Sequence, residues 1–130
     1  MQNYNLKRKT NKTFDLKRRA YIYALDIIEF LESLLKDYIS QIIGKQLLRS
    51  ATSIGANIIE AQAASSKKDF VNFFSIALKS ANENKFWLGL LRDSKKGDIK
   101  KINDLIREAD ELARIIGAII LTSFSLLGKR

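Results

Sequence analysis

The 130-residue sequence contains no cysteine, no histidine and no proline. A chain without cysteine and histidine cannot form disulfides, and it has no thiolate nucleophile, no imidazole base and none of the usual ligands of zinc or haem. Because many enzymes and metal sites depend on those groups, we expect no catalytic activity, no bound metal and no cofactor. The absence of proline also removes the residue that most often interrupts helices.

Glycine is scarce, with six residues in the whole chain, so the many turns of a multi-stranded domain would be hard to build. Hydrophobic residues make up 46% of the sequence, and a chain of this length usually folds as one domain. These features together predict a single all-α domain.

The net charge of +9 is concentrated near the N-terminus. A block of like charge with few apolar residues does not bury enough surface to order itself, so we expect residues 1–12 to form a flexible basic arm and residues 13–130 to form the bundle domain. The cations of this region could neutralise phosphates; they are Lys7, Arg8, Lys9, Lys12, Lys17, Arg18 and Arg19. The first residues have no apolar stretch of the kind found in secretory signals, so we expect a cytoplasmic protein.

Four stretches place apolar residues at helical spacing. Thr13 is the expected N-cap of the first, Ser66 with Asp69 fits a capping box before the third, and Asp98 is the expected N-cap of the fourth. The predicted helices run from about Phe14 to Lys36, from about Ser40 to Ala64, from near Lys67 to Arg92, and from Ile99 to about Leu127. Short connections between four such helices predict an antiparallel up-down-up-down bundle.

The second helix combines a seam of small residues, which includes Gly44 and Gly55, with a polar line beside it. Two interpretations of the polar line are open. Glu60 could approach Glu83 across two helices and bind a metal, but two carboxylates without histidine make a weak site. Alternatively the polar side chains bond to a neighbouring helix and fix the register; they are Arg49, Ser53, Asn57, Glu60 and Glu83.

The fourth helix is apolar on almost every side from Ile115 to Leu127. This stretch is well short of the ~20 residues that a membrane span requires, so we expect it to be buried on two sides and we expect no membrane partner.

A second basic cluster surrounds the turn between the third and fourth helices, where Gly97 is expected to take positive φ. Its members are Lys95, Lys96, Lys100 and Lys101. With the N-terminal cations they could form a nucleic-acid-binding surface, although a solvated, solubilising surface explains the same charges.

Two blocks of the sequence resemble a known family. The segment from Gln46 to Phe70, with Ser53-Ile54, Asn57-Ile58 and Glu60, and the block from Phe73 to Leu88 are similar to bacterial four-helix bundle proteins that include those encoded by intervening sequences in 23S rRNA genes. The resemblance covers about residues 16–125. The family usually has proline where Gly55 stands, and Gly55 still permits a local bend.

The resemblance implies a non-enzymatic homopentamer related to the accessory proteins of diversity-generating retroelements, which bind nucleic acid and a reverse transcriptase. Independently, surplus apolar faces on the first and fourth helices favour self-association. The leading hypothesis is therefore a homo-oligomeric bundle that binds RNA or DNA through its basic surface. The alternative is a protein-interaction scaffold whose basic arm docks an acidic partner protein.

Overall fold

A computed structural model describes residues 15–128, with side chains placed as far as Phe124. This part of the chain is all-α and contains no strand, as the sequence predicted. Its four helices are α1 (Leu16–Glu32), α2 (Tyr38–Gln62), α3 (Lys67–Asp93) and α4 (Ile99–Gly128).

The helix starts follow from short polar side chains that accept the first free amides. Ser66 Oγ accepts the Asp69 N–H at 3.1 Å, and Asp98 Oδ1 accepts the Lys101 N–H at 3.1 Å, as predicted for α3 and α4. The start of α2 is earlier than predicted because Asp37 is its N-cap, accepting the Ser40 N–H at 2.7 Å. Asp15 is the N-cap residue of α1 but makes no capping bond, and Thr13 lies outside the described residues.

The first helix ends at Glu32, four residues before the predicted end. The Ser33 hydroxyl donates to the Phe30 carbonyl at 2.8 Å, and the Ser33 amide donates to the same carbonyl at 3.1 Å. Serine competes with the helical pattern in this way wherever its side chain can reach a nearby carbonyl. Apolar periodicity continued through Leu34, which is buried, so it did not reveal the helix end.

Each helix packs against the next along the chain, and α1 also packs against α4. The core has the small-residue seam of α2 at its centre, and Ala51, Ile54 and Ala61 are almost fully buried. Gly44 lies beneath the Leu31 and Leu34 side chains, where an added Cβ would be 3.2 Å from Leu31. The absence of a side chain at this position lets α1 approach α2 closely.

The turn before α4 differs from the prediction. Lys95, with a φ of 61°, takes the left-handed conformation, and no described glycine has positive φ. Gly97 has a different role, since a Cβ there would lie 3.2 Å from the Phe30 ring and 3.1 Å from Ile102. The missing side chain thus favours close packing of the turn against α1, a role that only the tertiary structure shows.

The two ends of the structure bring different segments together. Leu16, Ile59, Phe70 and Ile119 surround one groove, so the start of α1, the end of α2, the start of α3 and a late part of α4 meet at what we call the groove end. The other end, the turn end, joins Asp37 to Lys96. No helix in the described range is long and apolar enough to cross a membrane.

Candidate functional site

The cations predicted to bind nucleic acid lie in three different environments. Lys7, Arg8, Lys9 and Lys12 fall outside the described residues. Lys17 is exposed in the first turn of α1, and Arg18 is exposed beside Asp15, whose carboxylate lies 3.3 Å from the guanidinium. Both side chains are accessible to a phosphate at the groove end.

Arg19 is buried within the bundle and is not an accessible cation. Its Nη2 donates to Glu108 at 2.8 Å and its Nε donates to the same carboxylate at 3.2 Å, while Nη1 lies 4.0 Å from Glu111. Only 7% of its side chain is exposed. The expectation that Arg19 contacts nucleic acid is corrected accordingly, because a fork of two hydrogen bonds already holds the guanidinium on α4.

The turn cluster is partly neutralised by its own neighbours. Lys96 donates to Asp37 at 2.7 Å, and Lys100 lies 3.5 Å from Asp104. Lys95 and Lys101 are exposed. This cluster lies at the turn end, away from Lys17 and Arg18, so the structure does not join the two predicted basic groups into one surface.

Two further lysines belong to the groove end and were not singled out from the sequence. Lys67 and Lys68 are exposed in the first turn of α3, next to Phe70, which lines the same groove as Leu16 and Lys17. The antiparallel packing expected from short connections could have revealed them, because it brings the first turns of α1 and α3 to the same end.

The polar line on α2 bonds mainly to itself and to α3. Ser80 donates to Ser53 at 2.8 Å, and Asn57 donates to the Ser53 carbonyl and hydroxyl at 2.9 and 3.0 Å. Arg49 forms an ion pair with Glu83.

Glu60 and Glu83, the two carboxylates of the alternative metal site, lie in different environments. Glu83 accepts hydrogen bonds from Arg49 and from Trp87 Nε1, the latter at 3.0 Å, whereas Glu60 is exposed. Within residues 15–128 no group of three or more acidic side chains is arranged to hold a metal ion. The carboxylate Glu83 is used for contacts between helices instead.

A buried polar network, not anticipated from the sequence, connects α1, α2 and α3. The Tyr23 hydroxyl donates to Asn84 Oδ1, and Asn84 Nδ2 donates to the Leu47 carbonyl at 3.0 Å and to Ser50 Oγ at 2.6 Å. Burial, followed by the nearby charges of Glu108 and Asp26, raises the pKa of Tyr23 well above its ordinary value of 10, so the hydroxyl keeps its proton. In the sequence, Asn84 is notable only for its helical spacing from the apolar residues Ala81 and Leu88.

Comparison with known proteins identifies the family of this chain. Residues 12–118 match the family model of the 23S rRNA-intervening sequence protein. The chain belongs to this family. A solved structure, described as a protein of unknown function from the S23 ribosomal protein family of Bacteroides thetaiotaomicron, is 35% identical to this chain. The match covers 81% of this chain and 97% of that one, with a TM-score of 0.76. No curated protein matches.

Membership of the 23S rRNA-intervening sequence family confirms the resemblance found in the helix α2 and α3 segments. The solved relative carries the same all-α fold, and its own description leaves its function unassigned. The exposed charges and the apolar groove of this chain are therefore the basis for its proposed function.

The turn end of this intervening sequence protein contains a carboxylate with a shifted pKa. The hydrogen bond from Lys96, followed by those from Ser40, lowers the pKa of Asp37 from its ordinary 3.8 to about 2. A depressed carboxylate pKa stabilises the folded state above pH 3.8, and this stabilisation is lost as the pH falls toward 2.

Asp37→Asn is expected to lower the melting temperature at neutral pH, because the amide cannot pair with the Lys96 ammonium. The difference from the wild-type protein should stay constant above about pH 4 and shrink as the pH falls toward 2. Thermal unfolding followed by circular dichroism at several pH values measures this difference. Glu60→Gln, which changes an exposed carboxylate that caps no helix, is the control. A difference that does not change between pH 5 and pH 2 would contradict the assignment.

Proposed function

We propose that this member of the 23S rRNA-intervening sequence family is a non-enzymatic, homo-oligomeric helical bundle that binds RNA or DNA as a cytoplasmic accessory factor. The observation that carries the proposal is the gathering of exposed cations at the groove end. Lys17, Arg18, Lys67 and Lys68 lie there, where residues 1–14 join α1.

The distribution of charge in the sequence supports the groove end over the turn end. Four cations precede Asp15 and two follow Gly128, and no acidic residue occurs in either segment, so they contribute six of the nine net positive charges. Of the described cations, two of the four lysines of the turn cluster lie beside carboxylates, whereas one of the four at the groove end, Arg18, lies beside Asp15. A phosphate backbone is attracted most strongly to cations that have no anionic neighbour.

Replacing Lys67 and Lys68 together by alanine is expected to weaken nucleic-acid binding and to make it less sensitive to salt. If each lysine neutralises one phosphate of a duplex, the slope of log K against log salt should fall by about 1.8, since each phosphate contributes about 0.9. Fluorescence anisotropy with a labelled duplex and a labelled single strand, over a salt series, measures the slope.

Lys45→Ala with Lys79→Ala is the matched control, because it removes the same charge from exposed positions outside both clusters. The control should leave the slope close to the wild-type value. Equal effects of the two double variants would show that binding depends on net charge alone, and a wild-type protein that does not bind at low salt would overturn the proposal.

We propose further that the four helices alternate in direction and that the chain assembles as a homopentamer. The packing of each helix against the next supports the alternation, and the resemblance to the family supports the pentamer. Exposed large apolar side chains provide surface for contacts between copies; they include Tyr38, Ile42, Phe86, Leu121 and Phe124. Light scattering should then give a mass five times the 14.8 kDa of one chain.

A protein-interaction scaffold is the second candidate function. An apolar groove between α1 and α2 favours it, because most hydrogen bonds to nucleic acid are made to phosphate and sugar by charged and polar groups, which such a groove lacks along most of its length. The resemblance to retroelement accessory proteins makes a reverse transcriptase one possible partner. Purification from nuclease-treated extract separates the two candidates, since a partner bound through nucleic acid is released by the nuclease.

A further inference from the structure

A groove of about 1300 Å³ runs along the outer side of the structure between α1 and α2. We call it the α1–α2 groove. Most of its lining is apolar, and Phe70 and Phe74 of α3 and Ile119 of α4 line it at the groove end. Its walls are formed by Tyr21, Leu25 and Ile28 from α1 and by Thr52, Ala56 and Ile59 from α2.

The walls of the groove expose more apolar surface than scattered surface residues would. Tyr21 is 66% exposed, Ile59 is 54% exposed and Ile28 is 40% exposed, and all three face the same space. Contiguous apolar surface bordered by polar residues marks an interaction site. The exposure of these side chains indicates that a partner would cover them when it binds in the groove.

The shape of the α1–α2 groove fits a helix. Its lining on α1 extends from Asp15 to Ile28, a length of about 20 Å at 1.5 Å per residue, which is the length of a helix of about 13 residues. Ala24 and Ala56 line the two walls with small side chains, so a helix could approach both walls closely. Amphipathic helices bind such grooves through apolar residues spaced three and four apart.

Charge at one end of the groove specifies the partner further. The charged lining residues are Asp15, Lys17 and Arg18, all at the groove end, and Lys67 and Lys68 lie next to Phe70 at the same end. Cations outnumber the acidic side chains there. A partner with carboxylates at one end would complement them, and the rest of the partner would contact apolar side chains.

We propose that the α1–α2 groove docks an amphipathic helix of a partner protein, with carboxylates at one end of that helix against Lys17 and Arg18. The inference goes beyond nucleic-acid binding and gives the scaffold function a site. Other exposed apolar residues of α3 and α4, such as Phe86 and Leu121, do not line the groove, so contacts between copies have apolar surface apart from it.

The test uses the full chain and a fluorescein-labelled synthetic helix of about 14 residues. The peptide carries leucines at positions i, i+4, i+7 and i+11 and three glutamates in its first turn, where they also favour the helix. One matched peptide has lysines in place of the glutamates, and another has the same composition with the leucines dispersed. Fluorescence anisotropy measures binding of all three.

Ile59→Lys is expected to weaken binding of the acidic peptide at least tenfold, although the added positive charge alone would strengthen it. Ile76→Lys is the matched control, because Ile76 is a similarly exposed isoleucine on the outer face of α3, and it should leave the affinity unchanged. Lys17→Glu should weaken binding of the acidic peptide and strengthen binding of the peptide that has lysines in place of the glutamates.

Four results would overturn the proposal. The dispersed peptide could bind as tightly as the amphipathic one, or Ile59→Lys could retain full affinity. Alternatively, the wild-type protein could bind no peptide, and light scattering could show that Ile59→Lys dissociates an oligomer. That pair of results would show that a second copy of the chain occupies the groove. Binding that appears only after deletion of residues 1–12 would assign the groove to the arm. Nucleic-acid binding by the wild-type protein is measured without peptide, so either function can fail alone.

Discussion

Asn84→Ala is expected to lower the free energy of unfolding by about 3 kcal/mol. The substitution leaves the buried Tyr23 hydroxyl without its acceptor and the Leu47 carbonyl and Ser50 hydroxyl without the amide that bonds to them. An unsatisfied buried polar group costs about 1–3 kcal/mol, and the small cavity adds to that. Urea denaturation followed by circular dichroism measures the change.

Asn82→Ala provides the control, because Asn82 is exposed on the same helix and its loss should change stability by less than about 0.5 kcal/mol. The double variant Tyr23→Phe with Asn84→Leu removes both polar partners and should be more stable than Asn84→Ala, since apolar groups then fill the space. If Asn84→Ala cost less than about 1 kcal/mol, the network would not be a determinant of stability.

Glu108→Ala is expected to destabilise the bundle by about 3 kcal/mol, because it leaves the Arg19 guanidinium buried without its ion-pair partner. Removing one member of a buried ion pair usually costs about 3–5 kcal/mol. We expect the lower part of that range, since 23% of the Glu108 side chain is exposed and Glu111 lies 4.0 Å from Arg19 Nη1. Thermal and urea unfolding measure the loss.

Glu111→Ala tests the specificity of this effect. Glu111 is one helical turn away on α4 and 48% of its side chain is exposed, so its removal should cost far less. Replacing both members of the pair, Arg19→Met with Glu108→Leu, should restore much of the stability. A Glu111→Ala variant as unstable as Glu108→Ala would show that both carboxylates hold the guanidinium.

Both stability predictions concern residues whose role was misjudged or overlooked in the sequence. Arg19 stands between Arg18 and Ala20 in a run of basic residues, and nothing in that run distinguishes the buried cation from the exposed ones. Its burial follows from its position on the face of α1 that meets α4. Asn84 has the spacing of a core residue, and its bonds depend on Tyr23, which is 61 residues away in the chain.

The candidate nucleic-acid surface was predicted in part. Sequence composition identified the N-terminal cations and the turn cluster, because charge is visible without a fold. The sequence does not show how far apart these two groups of cations lie in the fold. The structure places Lys17 and Arg18 at the opposite end from the turn cluster, pairs Lys96 with Asp37, and adds Lys67 and Lys68 to the groove end. The α1–α2 groove is likewise a product of packing, since its lining comes from all four helices.

The helical class, the starts of α3 and α4 and the family can all be predicted from the amino-acid sequence, because capping residues, helical periodicity and short motifs act over a few residues. The packing of the helices determines which cations are buried, how closely the turn at Gly97 approaches Phe30 and where an apolar groove remains open. Those features depend on contacts between helices far apart in the chain, and periodicity shows only that a helix has a buried face, without specifying which residues of another helix lie against it.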